Sequence, residues 1–100
     1  MADIYSIMDA RCVTLSATPT LLSALLTAAG GELKSGCARV GIQPISADAE
    51  WGWSTGTAPS SGSMGVIPAQ TLINFENRTG DMAYLYLAGS GSAYVIQESI

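Results

Sequence analysis

The apolar residues of this chain occur in short runs that alternate with polar residues and stop at Gly, Ser, Pro or Asn. The run RCVTLS at 11–16 alternates strictly, and CARVGIQPI at 37–45 places Val40 and Ile42 on one face. Period-two runs that recur about every ten residues, with turn residues between them, are typical of strands in sandwiches and barrels. No crossover helices separate these runs, so a central parallel sheet is not supported.

Further runs of the same kind complete the predicted sheets. Because proline cannot donate to a ladder, Pro44 is expected to end its strand or to lie at an edge. The last three runs are close in sequence, which favours an antiparallel meander, and the turn NRTGD at 77–81 joins the first of the three to the second. The further runs span 47–55, 71–76, 82–89 and 93–99.

One segment, TPTLLSALLTAAG at 18–30, has helical rather than alternating spacing. Its four leucines recur at i, i+1, i+4 and i+5, Thr18 or Thr20 is a candidate N-cap, and Gly30 and Gly31 are expected to end the helix. The spacing predicts one short helix of about two turns near residues 20–29.

Together these elements predict an all-β fold, a small antiparallel β-sandwich resembling a jelly roll, with a barrel of the OB type as the alternative. A chain of 100 residues has the size of one domain. We divide it into an N-terminal arm or edge strand at 1–10 and a β-sandwich domain at 11–100.

The charge of the chain excludes several classes of partner. The net charge is −4 and the four basic residues are scattered singly, so a nucleic-acid interface is not expected. No polybasic stretch points to a membrane surface, and the longest apolar run, at 21–29, is about half the length of a spanning helix. The N-terminus has no signal-peptide pattern, which predicts synthesis in a cytoplasm.

The residue types that carry most catalysis are scarce. The chain has no histidine, and its eight carboxylates do not form a recognisable catalytic pair, although Asp48 and Glu50 are two residues apart. The segment GGELKSG at 30–36 has leucine where a phosphate loop requires glycine. We therefore expect no enzyme activity, no cofactor and no metal site.

The two cysteines stand 25 positions apart, at Cys12 and Cys37, with no CxxC spacing. In a reducing compartment such residues are expected to serve as small core side chains, and a late disulfide is possible only if their strands pair.

A neutral segment is the most unusual part of the chain. Residues 51–75 carry no charge, and within them Trp51 and Trp53 precede a stretch rich in Gly, Ser and Thr. Tryptophan is enriched at interface hot spots, and an uncharged segment packs against a neighbour without charge desolvation. The alternative is that the tryptophans fill the core. The candidate interface residues are Ile4, Ile7, Met8, Trp51, Trp53, Met64, Tyr84 and Tyr86.

The order of these segments resembles the small β-sandwich virion proteins of tailed bacteriophages. The resemblance rests on the strand at 13–16 with the leucine-rich turn after it, the turn at 65–71 leading into an apolar strand, and the hairpin pattern YLYLAGSG at 84–91. It implies a structural protein of the virion, such as a capsid decoration or cement protein, present in several copies and bound to the major capsid protein or other virion proteins. The family supplies no catalytic residues.

Two functions from different classes are therefore expected. The first is capsid decoration by a homo-oligomer that stabilises contacts between major capsid subunits. The second is a carbohydrate- or receptor-binding module of a tail or head fibre, in which Trp51 or Trp53 stacks on a sugar ring.

Overall fold

The computed structural model describes residues 4–77 and 80–100. Within them, eight strands and two short helices account for the regular structure. The strands are β1 Ser6–Thr14, β2 Thr20–Leu21, β3 Arg39–Pro44, β4 Ala49–Trp53, β5 Gly65–Ile67, β6 Ile73–Glu76, β7 Leu85–Gly89 and β8 Ser92–Ser99, and the helices are α1 Leu22–Ala28 and a 3₁₀ helix at Asp81–Tyr84.

The strands form two four-stranded sheets that pack face to face. Sheet I has the order β1-β8-β3-β6 and sheet II the order β2-β7-β4-β5, and all the paired neighbours are antiparallel. This is the order that two Greek keys produce in a jelly roll. The prediction of a small all-β sandwich with one short α-helix is confirmed.

The predicted meander is wrong. In the structure β6 pairs with β3, β7 pairs with β2 and β4, and β8 pairs with β1 and β3. The last three strands therefore alternate between the two sheets. Alternation within a strand fixes which side chains point inward, but it is the same whichever neighbour the strand pairs with, so it cannot assign partners.

The core lies between the sheets and follows the predicted alternation. Val40 and Ile42 of β3 are fully buried, as is Pro44, which ends that strand. They face leucines and alanines of sheet II across the sandwich. The fully or nearly fully buried apolar residues of the two sheets include Val13, Val40, Ile42, Ala49, Ile67, Leu85, Leu87, Ala93 and Val95.

Helix α1 closes one side of the core, and it ends as the two glycines predict. Gly30 has a φ of +84°, its N–H bonds to the Thr27 carbonyl, and the Gly31 N–H bonds to the Leu26 carbonyl at 2.8 Å. This pair of bonds is a Schellman motif. The predicted threonine cap is wrong, because α1 has no side-chain cap and the Thr20 hydroxyl donates to the Thr18 carbonyl instead.

Two other elements differ from the sequence prediction. The strand expected from residue 82 begins at Leu85, because Met82 lies buried in the 3₁₀ helix, where its N–H donates to the Asn77 side chain. The strand expected from residue 71 begins at Ile73, and the three-residue β5 was not predicted. The central residues of the NRTGD turn, Arg78 and Thr79, lie outside the described residues.

The two cysteines lie in different environments and both are free thiols. Cys37 is buried, as predicted, whereas Cys12 is exposed on the outer face of sheet I, because the neighbouring Val13 takes the inward position in β1. The expectation that Cys12 is a core residue is therefore wrong. Strand β8 lies between β1 and β3, so these two strands do not pair.

The antiparallel topology places the helices and the longest loop at one end of the sandwich. This helical end holds α1, the β4–β5 loop, the 3₁₀ helix and the start of β1, whereas the opposite end holds four short connections. The buried Gln97 of β8 secures part of the helical end, because its amide accepts from the Lys34 N–H at 2.7 Å and donates to the Glu32 carbonyl at 2.9 Å.

Candidate functional site

Three aromatic rings form a cluster that joins the two sheets at the helical end. Trp51 and Trp53 lie on the inner face of β4, as their spacing predicts, and Phe75 approaches from β6 in the other sheet. The Trp51 and Phe75 ring centroids are 5.2 Å apart, and Trp53 is 6.5 Å from Trp51 and 6.1 Å from Phe75. All three contacts are edge-to-face, an arrangement that aromatic pairs prefer.

The two tryptophans differ in exposure. Trp51 packs against the core, and its indole lies across β5, where a Cβ on Gly65 would be 2.6 Å from the ring. Trp53, at the end of the strand, is 43% exposed. Trp51 is therefore half-buried against the core, whereas Trp53 is the more exposed of the two and has one side open to solvent.

The open side of Trp53 forms one wall of a cleft of about 550 Å³. Ser54 and Thr55 continue this wall, and Asp81 and Tyr84 of the 3₁₀ helix supply the other. The Ser54 N–H donates to the Tyr84 carbonyl at 3.1 Å, extending the β4–β7 ladder beyond its last pair. This backbone bond fixes the distance between the walls, and the side chains bring two exposed rings, two hydroxyls and a carboxylate together.

The Gly/Ser-rich β4–β5 loop folds back over the outer face of sheet II. The Glu50 carboxylate accepts from the Ser61 hydroxyl and from the Gly62 N–H, both at 3.1 Å. The Tyr86 hydroxyl bonds to the Gly56 carbonyl at 3.4 Å. Glu50 thus has a structural role, and the neutral segment is attached to its own sheet although most of its residues remain exposed.

Met64 and Pro59 complete this covering. A Cβ on Gly52 would lie 3.2 Å from Pro59 and 3.3 Å from Met64, so both side chains rest directly on that glycine. Met64 and Tyr86, both half-buried, therefore belong to the packing of the loop on sheet II. Asp48, the other carboxylate of the β4 region, accepts from the Ala69 N–H at 2.9 Å.

The first part of β1 forms a second exposed surface at the helical end. Strand β1 is an edge of sheet I, and its pairing with β8 is interrupted by a bulge between Ile7 and Asp9. Ile4 is 78% exposed, Ile7 is 66% exposed, and Met8 is also exposed. The residues before Ile4 lie outside the described part of the chain.

Tyr5 attaches this segment to sheet I. The Arg39 guanidinium lies 3.7 Å from the centroid of the Tyr5 ring, a cation–π contact, and its Nε donates to Glu98 at 2.8 Å. The bond to Glu98 raises the pKa of Arg39 above its already high value, so the residue stays charged.

The structure thus divides the eight predicted interface residues among four environments. Trp53 and Tyr84 line the cleft, Trp51 is half-buried against the core, and Met64 and Tyr86 pack the loop. Ile7 and Met8 lie on β1, and Ile4 directly precedes that strand. Sequence reasoning missed Asp81 of the cleft and the exposed Tyr94, Val66 and Leu72. The alternation of β8 around the buried Val95 could have identified Tyr94, but no sequence signal marks Asp81.

Comparison with family models, with curated proteins and with solved structures gave no match to this chain. In the described part of the chain, no three His, Cys, Asp or Glu side chains are grouped so that they could hold a metal ion. None of the helices described has both the length and the apolar character needed to span a bilayer.

Proposed function

We propose that the protein is a non-enzymatic structural component of a tailed-bacteriophage virion, a decoration or cement subunit that stabilises contacts between major capsid subunits. The proposal is supported by the segment pattern described above and by a jelly-roll fold, which occurs in viral capsid proteins among others. Since the same fold serves many functions, the proposal depends on the exposed surface rather than on the fold.

The observation that carries the proposal is the exposed apolar segment at the start of β1. Edge strands carry unpaired backbone groups, and proteins normally protect them with charges, prolines or covering elements. Here Ile7 lies at the start of the edge strand and Ile4 just before it, and they are 66% and 78% exposed. A partner that adds a strand or a groove at this edge would bury both side chains and pair the free backbone groups.

The exposed part of the neutral segment adds a second area for contact. Residues 51–75 carry no charge, so a neighbouring subunit can approach the loop without desolvating an ion. The loop is already held on its own sheet through Glu50 and Tyr86, which lowers the conformational entropy lost on binding. An uncharged loop held on its own sheet, together with an apolar edge at the same end of the sandwich, suits a subunit that fits between neighbours in a shell.

The proposal is tested by measuring the copy number of the chain in purified particles by quantitative mass spectrometry. We expect many copies per particle and co-sedimentation of added protein with particles that lack it. Ile7→Lys is expected to lower the bound amount at least about tenfold, the loss typical of an interface hot spot.

Thr14→Lys is the matched control, because Thr14 is exposed on the same strand at its far end. This variant should bind particles as the unaltered protein does, and circular dichroism should show that both variants are folded. Absence of the chain from particles, or equal binding of the two variants, would contradict the proposal.

A further inference from the structure

Strand β1 is the longest edge strand in the described part of the chain. It has nine residues, whereas the other edge strands, β6, β5 and β2, have four, three and two. We propose that a second copy of the chain pairs antiparallel with β1 about a two-fold axis at Ala10, so that the two copies of sheet I form one continuous sheet. The inference rests on the proposed use of β1 as an interface and names the partner there.

The side of the molecule around β1 carries little charge. Between residues 4 and 31 the charged side chains are Asp9 and Arg11, which already form an ion pair. Helix α1, which the Arg11 side chain joins to β1, has only small uncharged side chains exposed to solvent. These are Ala24, Thr27 and Ala28. A second copy can therefore approach this side without burying an unpaired charge or meeting a long side chain on α1.

The middle of β1 is the part suited to pairing. In the described part of the chain β1 pairs with β8 alone, so the backbone groups on its other side have no partner strand. The bulge between Ile7 and Asp9 interrupts the regular strand at its start. Pairing centred on Ala10 therefore covers the stretch from Met8 to Cys12. Ile4 and Ile7 lie beyond it and stay available to a virion partner.

The charges of β1 fix the register of the pair. In an antiparallel pair about a two-fold axis, residues equally far from the axis face each other. An axis at Ala10 places Asp9 opposite Arg11 of the second copy, and the reverse. An axis at Asp9 or at Arg11 would set two like charges directly opposite each other, which is destabilising. An axis at Cys12 would set Arg11 opposite Val13, with no carboxylate facing it.

The Asp9–Arg11 ion pair has hydrogen-bonding capacity left for a second copy. Within one chain the guanidinium donates twice to Asp9 and once to the Ala29 carbonyl, and each Asp9 oxygen accepts one of these bonds. A guanidinium has further N–H donors, and a carboxylate oxygen can accept more than one bond. The Arg11 and Asp9 side chains are 29% and 15% exposed. The two ion pairs can therefore join across the axis into a ring of alternating charge.

A strand of a different protein, such as a capsid subunit, is the competing occupant. The sequence of β1 favours the second copy, because residues at equal distances from Ala10 are complementary. Opposite charges lie at Asp9 and Arg11, and apolar sulfur side chains lie at Met8 and Cys12. Another protein would match β1 only if it carried opposite charges at the same spacing. Pairing with such a protein alone would leave the isolated chain monomeric.

Analytical ultracentrifugation of the isolated chain tests the association. Between about 10 µM and about 1 mM we expect the weight-average mass to rise from that of one chain to that of two. Ala10→Lys brings two cations together at the axis and should raise the dissociation constant at least about tenfold. Thr14→Lys is the matched control, since Thr14 is also exposed on β1 but lies outside the paired stretch. It should associate as the unaltered chain does, and circular dichroism should show that both variants are folded.

Disulfide trapping tests the register. In the Cys12→Ser background, Ala10→Cys places two thiols directly opposite each other. The Cα atoms of such a pair are about 4.5–5.5 Å apart, which a disulfide can span. Thr14→Cys in the same background is the control, because its two copies would be about 26 Å apart along the strands. With diamide as the oxidant, we expect a linked dimer from Ala10→Cys and none from Thr14→Cys.

Three results would overturn the inference. These are the mass of a single chain up to about 1 mM, equal effects of the two lysine variants on association, and a dimer linked through the native Cys12 or through Thr14→Cys rather than through Ala10→Cys. Failure of the proposed function is distinguishable. A dimer that forms in solution but is absent from particles would contradict the proposed function alone, whereas a chain that binds particles but stays monomeric in solution would contradict this inference alone.

Discussion

Arg11 is the residue that connects the edge strand to the rest of the molecule. Its Nε and Nη2 donate to the two carboxylate oxygens of Asp9 at 3.0 and 3.1 Å. Its Nη1 donates to the Ala29 carbonyl at 2.8 Å, at the end of α1. A cation at the C-terminal end of a helix also interacts favourably with the helix dipole. The Arg11 guanidinium thus joins β1 to α1. The exposed apolar residues Ile4, Ile7 and Met8 lie just before it in the sequence.

This arrangement predicts a defined pH dependence. The bond from Arg11 holds the pKa of Asp9 below its usual value of 3.8, with a smaller contribution from the positive charge itself. The unfolded chain therefore binds a proton at Asp9 before the folded chain does. The stabilisation is complete above about pH 4 and is lost as the pH falls through the lower pKa of the folded state. Chemical denaturation between pH 2 and 7 measures it.

Asp9→Asn should remove this contribution, so that the free energy of unfolding changes less between pH 5 and 2 than in the unaltered chain. Arg11→Met removes the same ion pair from the other side. It should flatten the dependence of the unfolding free energy on pH in the same range. Profiles parallel to that of the unaltered chain for both variants would contradict the assignment.

At the scale of elements, the end of α1 depends on a glycine for a steric reason. A Cβ on Gly31 would lie 2.4 Å from the Arg11 Nε and 2.8 Å from its Cζ. The Arg11 side chain cannot retreat without breaking its bonds to Asp9 and to the Ala29 carbonyl. Because Gly31 has no side chain, it leaves room for the Arg11 guanidinium.

Gly31→Ala is expected to lower the free energy of unfolding, because the Arg11 side chain must give up at least one of these hydrogen bonds to make room for the added Cβ. Denaturant titration measures this change. Gly56→Ala is the control, because a Cβ there would meet no atom within 4 Å. In the Arg11→Ala background the Gly31 substitution should cost much less, and equal costs in both backgrounds would contradict the steric explanation.

The sequence predicts the long elements well and the short ones poorly. Strands such as β3, and helix α1, have enough residues for their period to show, and their inward residues Val40, Ile42 and Leu26 are buried as expected. Strand β5 has three residues and β2 has two, which is too short for a period. The 3₁₀ helix falls where the sequence predicts a strand, because Met82 and Tyr84 continue the alternation of β7.

The residues in and around the cleft could be predicted only in part, because the strand period places side chains on faces but does not show which elements meet. Trp51 and Trp53 could be placed on one face, because a strand has a period of two. The same rule predicts that Tyr84 and Tyr86 share a face, but Tyr84 lies in the 3₁₀ helix and lines the cleft, whereas Tyr86 packs under the loop. The ring contacts of Phe75 with the tryptophans could not be predicted from the sequence, since they depend on how the two sheets stack.

At the scale of the whole molecule, the jelly roll encloses a core that needs no second chain. Its radius of gyration is 12.6 Å, close to the value of about 13 Å for a compact domain of this size. No described side-chain polar atom is buried without a hydrogen-bond partner. The isolated chain should therefore fold, and the edge strand, the neutral loop and the cleft are surfaces of an already stable domain.

The connection between α1 and β3 is held by side chains from later parts of the chain. Gln97 holds the backbone of Glu32 and Lys34, and the Asn77 side chain donates to the Cys37 carbonyl at 2.8 Å. Burial raises the pKa of the Cys37 thiol, which bonds to the Arg39 carbonyl, so little reactive thiolate is available in the folded state. Cys12, on the outer face of sheet I, is exposed.

We therefore expect a thiol reagent to modify Cys12 rapidly in the folded protein and Cys37 only when the domain opens. For a domain of ordinary stability, opening reduces the labelling rate by at least about a thousandfold. Mass spectrometry of Cys37→Ala and Cys12→Ser proteins measures each thiol separately, and denaturant should raise the Cys37 rate to that of Cys12. Equally fast labelling of both thiols without denaturant would show that the connection opens locally, and Gln97 would then not be the clamp that its two backbone bonds indicate.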